Sequence, residues 1–208
     1  MGNVIHENIE PQGFRLFPGF LDETARAALV TSVFEGEAAS PFWRPVTPGG
    51  QSMSVSMTNF GPLGWVSDRT GYRYQPVHPI TGWPWPPIPA ALLDLWSRLA
   101  DAATPPDACL VNLYRDGAKM GLHQDRDEAD FSFPVLSVSL GDTAIFRIGG
   151  TERRGATRSV RLASGDVCLI GGAARLAFHG INRVLAGSSR LIPGGGRLNL
   201  TLRRARPA

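Results

Sequence analysis

From residue 108 to residue 203 the chain repeats one pattern: a short run of β-branched residues and leucine, then Gly, Asp or Pro, then another such run. The segments are "ACLVNLY", "PVLSVSLG", "AIFRIGG", "SVRLASGDVCLIGG", "RLAFHGI" and "RLNLTLR". Turn residues close each one, and an internal Ser-Gly-Asp divides the longest. This spacing predicts an all-β sandwich, barrel or jelly roll. The 24 Gly and 17 Pro among 208 residues supply the turns this needs, and the length suits one well-buried domain.

The first half supplies two helices. Asp22 is placed to cap "ETARAALVTSVFEGE", with Ala25, Ala28, Leu29 and Val33 as its apolar stripe. A second helix begins near Pro89 and runs through "AALLDLWSRLADAA", with Leu92, Leu93, Trp96, Leu99, Ala100 and Ala103 on one face. Between them Met53, Val55 and Met57 alternate with Ser54, Ser56 and Thr58, a period-two strand after a Pro-Gly-Gly turn. Trp65, Tyr72, Tyr74, Trp83 and Trp85 follow in an irregular stretch. Composition leaves two readings of these rings open: a satellite cluster under a long loop, or a binding surface.

Several classes are excluded. No apolar run reaches the roughly 18 residues a membrane span requires, and "MGNVIHENIE" lacks the basic flank and apolar core of a secretory signal, so a cytoplasmic location is expected. Cys109 and Cys168 have no CxxC partner and read as buried small hydrophobes. Net charge is only +3 but unevenly placed: net −3 over residues 1–104 and net +6 over residues 105–208. All basic residues except Lys119 are arginine, the better fork for carboxylate and phosphate.

"GLHQDRDEAD", residues 121–130, carries the chemistry. On an extended chain His123 and Asp125 point to the same side, roughly 7 Å apart at their α-carbons, and can converge on one cation. Taken alone, HxD reads as a hydrated loop. His179 lies in the apolar run "RLAFHGI", where an unpartnered imidazole is costly. In "RLNLTLR", Leu198, Leu200 and Leu202 share one face, and Arg197, Asn199, Thr201 and Arg203 share the other. Two histidines and one carboxylate leave positions open on Fe(II) for a dicarboxylic keto acid, whose distal carboxylate an arginine fork complements.

With His179 54 residues beyond Asp125, this ordered set resembles the signature of the AlkB family of iron-dependent dioxygenases. The likeness extends over "VTPGGQSMSVSMTNFGPLGW", "GYRYQP", "PDACLVNLYRDGAKMGLHQDRDE", "VSVSLGDTAIFRIGG" and "SGDVCLIGG", from about residue 40 to the end, and is strongest to the bacterial DNA-repair demethylases. It implies a mainly β fold with flanking helices: a double-stranded β-helix (jelly roll) with two support helices and an aromatic substrate lid. Within one domain over 1–208, an N-terminal extension and support helix occupy about 1–44, the lid about 45–88 and the catalytic core about 108–208.

The resemblance further implies that His123, Asp125 and His179 bind Fe(II). It implies that Asn112, Tyr114, Arg197, Asn199 and Arg203 hold 2-oxoglutarate, with Arg203 on the distal carboxylate and Arg197 nearer the metal. Trp65 would stack on an extruded base with His123 on its other side, Tyr72 would hold the backbone, and Asp127 would meet the base edge. Glu128 would either assist or face solvent. The implied reaction uses O₂ to hydroxylate an N-methyl group of 1-methyladenine or 3-methylcytosine type in DNA, single- or double-stranded, with RNA a second candidate. It releases formaldehyde, succinate and CO₂, from a monomer with no membrane partner.

Two rivals stand beside it: an oxygenase of the same cofactors acting on tRNA, protein or lipid, and a non-catalytic jelly-roll binding module. Against the second, neither the triad nor Arg203 is broken. The Arg-rich stretch 149–162 has two readings, phosphate contact or solvated hairpin.

Overall fold

The computed structural model describes residues 7–9 and 11–207, so residues 1–6, part of the expected N-terminal extension, lie outside the described residues. The chain runs β1 (Glu7–Ile9), β2 (Phe14–Phe17), α1 (Glu23–Gly36), β3 (Ser56–Phe60), β4 (Gly64–Asp68), β5 (Gly71–Gln75) and α2 (Ala90–Leu99). It continues with β6 (Ala108–Tyr114), β7 (Met120–His123), β8 (Val135–Gly141), β9 (Ala144–Gly149), β10 (Thr157–Leu162), β11 (Val167–Ile170), β12 (His179–Val184) and β13 (Arg197–Arg203). A seven-stranded sheet is ordered β1-β2-β11-β8-β13-β6-β3, a four-stranded sheet β10-β9-β12-β7, and β4-β5 is a separate hairpin. The strand pairs are antiparallel and the two larger sheets form the expected jelly roll.

Strand alternation divides the interior. On the outer face of the large sheet, Cys109, Val111 and Leu113 of β6 join Leu198, Leu200 and Leu202 of β13 and the buried faces of both helices. Between the sheets, Leu110 and Tyr114 join Val135, Phe146, Ile148, Cys168 and Ile181. The three β13 leucines are 0% exposed. At about 1.5–3 kcal/mol for each such side chain removed from water, they pin this strand, and with it the polar face opposite.

Asp22 caps α1 as predicted, accepting the Ala25 amide at 2.8 Å. The stripe differs: Leu29, Val30 and Val33 are buried while Ala28 is exposed, because alanine is too small to set a helix's inward face. In α2 the buried set is Leu92, Leu95, Trp96 and Leu99, while Leu93 is 38% exposed. The helix stops before Ala103, with Asp101 at φ 51 turning the chain. "RLAF" is not extended either; β12 starts at His179.

The aromatic stretch splits between both of its readings. Trp43, His78 and Trp85 pack on one another with ring centroids 4.9–5.7 Å apart, as a satellite core beneath the β4–β5 hairpin. Trp65 and Tyr72 stand on that hairpin and line the main cavity. Asn59 fixes it from β3, accepting the Trp65 amide at 3.0 Å and donating to its carbonyl at 3.1 Å.

His78 ties this satellite core to acid. Nδ1 accepts from the amides of Ile80 and Thr81 at 3.1 and 3.2 Å, so Nε2 carries the proton and donates to the Pro41 carbonyl at 2.9 Å. Protonating Nδ1 would turn it against two donors, and burial holds the ring below its ordinary value of 6.5. The unfolded chain therefore binds the proton first as pH falls. Stability is fully present above about 6.5 and is lost below it, by up to about 1.4 kcal/mol per pH unit. His78→Asn keeps an acceptor near Nδ1 but cannot titrate. Wild type is expected to lose thermal stability relative to that variant as pH drops from 7.5 to 5.5; parallel curves, read from Trp fluorescence, would exclude the linkage.

Candidate active site and metal centre

Antiparallel pairing of β7 with β12 sets His123 directly across from His179, with ring centroids 4.6 Å apart. The register slips just after His179, where a Cβ on Gly180 would lie 2.6 Å from the Met120 carbonyl, so only glycine lets the two strands approach there. Beyond β7, Gln124 donates to the Leu176 carbonyl at 2.6 Å, and Arg175 donates to the Asp125 carbonyl at 2.6 Å. These two bonds fold Asp125 back between the histidines.

Both imidazoles are oriented alike. His123 Nδ1 lies 2.9 Å from the Gly121 carbonyl and His179 Nδ1 2.9 Å from the Ala177 carbonyl. Nδ1 is thus the protonated nitrogen, and each Nε2 lone pair points at the Asp125 carboxylate, 3.7 Å away. The three ligand atoms lie within 4.8 Å of one another. Burial, helped by His123, pushes the His179 ring down to about 4, so it is neutral near pH 7 and its lone pair is available. Burial pushes the Asp125 carboxyl upward, but Arg203, His179, His123 and Arg175 outweigh it and keep the group ionised.

The polar face of β13 is buried, not exposed. Arg203 Nη2 sits 2.9 Å from Asp125 Oδ1, and its Nε is 3.5 Å from Glu128 Oε1. Arg197 lies six residues back along the strand, about 20 Å at ordinary strand rise. The expected order is therefore reversed: Arg203 belongs to the metal end and Arg197 to the far end, because β13 enters the site from its C-terminal end. Arg197 is 0% exposed, donates to Ser139 Oγ at 2.9 Å and lies over the Tyr114 ring. Among the described residues it has no carboxylate partner. Asn199, the Cα partner of Asn112, is held by Ser137 and Val138.

Of the two readings of Glu128, burial excludes the solvent-facing one: it lines the cavity, with Oε1 accepting from the Tyr74 hydroxyl at 2.5 Å and Oε2 from Arg175 Nη2 at 3.0 Å. Tyr74 and Arg175 were not among the sequence candidates. Tyr74 was readable, since it shares a strand face with Tyr72 two residues away; Arg175 carries no local signal. Trp65 stacks on Tyr72, with centroids 5.6 Å apart and rings 16° from parallel, and its indole N–H donates to Asp127 Oδ2 at 2.8 Å. Trp65, Tyr72 and Asp127 therefore meet, at the mouth of a cavity of about 870 Å³ that is also lined by the triad, Arg197 and Arg203. Cys109 and Cys168 are buried, and burial pushes both thiols up to about 12, leaving them inert.

Three buried atoms along that cavity lack a hydrogen-bond partner: Asn112 Oδ1, Arg197 Nε and Arg203 Nε, the last with Glu128 Oε1 3.5 Å away. An unsatisfied buried polar atom costs about 1–3 kcal/mol, and an unpaired guanidinium beside one calls for an anionic, hydrogen-bonding ligand. The donor set thus fits a divalent metal at one end and a carboxylate-bearing small molecule along β13. A jelly roll with two histidines and one carboxylate at its mouth defines a metal-dependent oxygenase. The model for the 2OG-Fe(II) oxygenase superfamily matches residues 13–203. The chain belongs to that superfamily and, within it, to the AlkB family. It is 65% identical over 196 residues to an alpha-ketoglutarate-dependent dioxygenase AlkB homolog of Caulobacter vibrioides, covering 94% of this chain and 89% of that protein. It is 46% identical over 185 residues to the alpha-ketoglutarate-dependent dioxygenase AlkB of Escherichia coli, covering 87% and 85%. The solved structure of OsALKBH1 superposes with a TM-score of 0.78 at 30% identity, covering 95% of this chain and all of that one. No helix among the described residues is long and apolar enough to cross a membrane.

Proposed function

We propose that the protein oxidatively removes N-methyl groups from bases of 1-methyladenine and 3-methylcytosine type in DNA, releasing formaldehyde while 2-oxoglutarate becomes succinate and CO₂. The observation that carries this reading is the cavity mouth. A flat aromatic pair, Trp65 and Tyr72, stands beside the Asp127 carboxylate above a His-Asp-His group, which suits a flat cationic ring delivered to an oxidising centre. His123, Asp125 and His179 hold Fe(II). Arg197, Asn112, Tyr114 and Asn199 hold 2-oxoglutarate, with Arg203 steadying its metal-proximal end. Bound there, the iron and its co-substrate supply the O₂-dependent oxidation.

The chain's own groups provide orientation and shielding. Nδ1–H bonds lock both imidazoles, and Arg203 fixes the Asp125 carboxylate that faces them. Glu128 holds Arg203 and, through the Tyr74 hydroxyl, connects it to the hairpin bearing Trp65. Tyr72 supports one face of the Trp65 indole, and the base lies against the other. The indole bond to Asp127 meanwhile keeps that carboxylate turned toward the base edge.

The test is anaerobic loading with Fe(II), followed by 2-oxoglutarate, air and an oligonucleotide bearing a single 1-methyladenine, read by mass spectrometry beside His123→Ala. Loss of one methyl group with wild type alone is the expected result. Conversion of 2-oxoglutarate to succinate with the oligonucleotide unchanged would transfer the site to a tRNA, protein or lipid substrate.

A further inference from the structure

The four-stranded sheet carries an unneutralised arginine surface that the catalytic cavity does not use. In β9 Ala144, Phe146 and Ile148 are buried, so Ile145 and Arg147 face outward. Register places Arg161 of β10 and Arg183 of β12 on either side of Ile145, and both are exposed. Their α-carbons are thus about 10 Å apart, with Arg147 about 7 Å farther along the middle strand. No Asp or Glu occurs in β7, β9, β10 or β12. The β9–β10 hairpin adds Arg153 and Arg154 against the single acid Glu152.

Outside this sheet Arg73, Arg98, Arg175, Arg203, Arg204 and Arg206 each have a carboxylate within ion-pair distance, while the remaining arginines, Arg197 among them, are scattered over the fold without one among the described residues. Among the described residues none of Arg147, Arg153, Arg154, Arg158, Arg161 or Arg183 has one. Arg147 instead spends two of its donors on Thr157 Oγ1, at 3.1 and 2.7 Å. Like charges gathered on one sheet face give a local positive potential, and a polyanion seated across it complements all three together. The patch is continuous with the cavity through Arg153, which lines its mouth and lies over the Phe178 ring.

We infer that the outer face of the four-stranded sheet, centred on Arg147, Arg161 and Arg183, binds the phosphate backbone of the nucleic acid beyond the base that enters the cavity. This rests on the demethylase reading and extends it from the base to the strand that carries it. Arginine, not lysine, suits the role, because its planar fork takes phosphate oxygens in pairs. The face carries no sequence information and would act on length and salt, not on lesion identity.

The test compares wild type with Arg147→Gln/Arg161→Gln/Arg183→Gln, substitutions on the sheet face turned away from the cavity. Fluorescence anisotropy of the metal-free proteins with a labelled duplex two helical turns long gives affinity across a salt series. In parallel, both proteins are loaded with iron and given a trinucleotide centred on 1-methyladenine. The variant is expected to bind the duplex at least tenfold more weakly, with a log–log salt slope shallower by about 2–3, since each phosphate contact contributes about 0.9. Trinucleotide turnover is expected to be unchanged. Equal duplex affinity and equal slope in the two proteins, with the variant's unfolding temperature unaltered, would overturn the inference even if both demethylate the trinucleotide. Failure of wild type to demethylate the trinucleotide would instead strike the parent reading.

Discussion

Asp125→Ala is expected to lose stoichiometric metal and, in the metal-free state, to be less stable by about 3–5 kcal/mol. The second effect is the less obvious one. Asp125 is buried with Arg203 Nη2 2.9 Å from its Oδ1, and the Arg203 guanidinium otherwise has Glu128, at 3.5 Å, and the Tyr74 hydroxyl. Deleting the carboxylate strands a buried cation, and breaking a buried pair from one side costs about that much. Removing a ligand outright should weaken metal binding by more than the roughly hundredfold that losing a mere supporting partner of a ligand can cost. Asp125→Asn separates the two effects: it retains an oxygen for Arg203 and fills the same space, but it lacks the charge. Mn(II), a redox-stable substitute, can be titrated calorimetrically into all three proteins while thermal unfolding is followed without metal. Alanine should lose both properties and asparagine mainly the metal. An alanine variant that still binds one Mn(II) tightly would remove Asp125 from the metal centre.

The two effects arise because one carboxylate serves two cations at different times. Without metal, Arg203 and Arg175 supply the positive charge that keeps Asp125 ionised despite burial. The site is therefore electrostatically assembled beforehand, and a metal meets an ionised carboxylate and a neutral His179. Such preorganisation shifts the cost of burying the carboxylate onto folding.

The strands and the site residues were legible to different depths. In β13 the alternation of leucine with polar residues was enough to identify both faces, and those faces are as expected. Alternation could not say which end of that strand met the metal, since period-two patterning is symmetric along the chain; it therefore offered no check on the order of the two arginines that the resemblance implied. Helix stripes failed where two were available. Leu93 and Leu95 are equally apolar, but only Leu95 completes the spacing Leu92, Leu95, Trp96, Leu99. Glu128 stayed open between two readings because its partners Tyr74 and Arg175 arrive from 54 residues upstream and 47 downstream. His78 offered no signal, since its bonds are to backbone groups that local sequence does not specify.

Arg197→Met should push stability and co-substrate affinity in opposite directions. Arg197 is fully buried, donates to Ser139 Oγ at 2.9 Å and to the Leu198 carbonyl at 3.5 Å, leaves Nε unsatisfied and meets no carboxylate among the described residues. Burial accordingly lowers its hold on its proton. In the ligand-free protein this is charge without compensation, and methionine, of similar length and apolar, should keep or raise stability, by up to about 1–4 kcal/mol. If Arg197 faces the distal carboxylate of 2-oxoglutarate, the same change removes half of a buried charge pair and should weaken that binding by about 2–5 kcal/mol, roughly thirtyfold to several thousandfold. Thermal unfolding with Mn(II) reads both effects in one experiment. Wild type should gain about 2.7 kcal/mol from 2-oxoglutarate at a hundred times its dissociation constant, and the variant should gain almost none at that concentration. A variant several kcal/mol less stable without ligand, yet showing the full 2-oxoglutarate shift, would make Arg197 a packing residue. Its unsatisfied Nε would then have no ligand to explain it. A stable variant blind to 2-oxoglutarate would mean that the fold maintains a destabilising charge at the far end of the cavity because the co-substrate neutralises it.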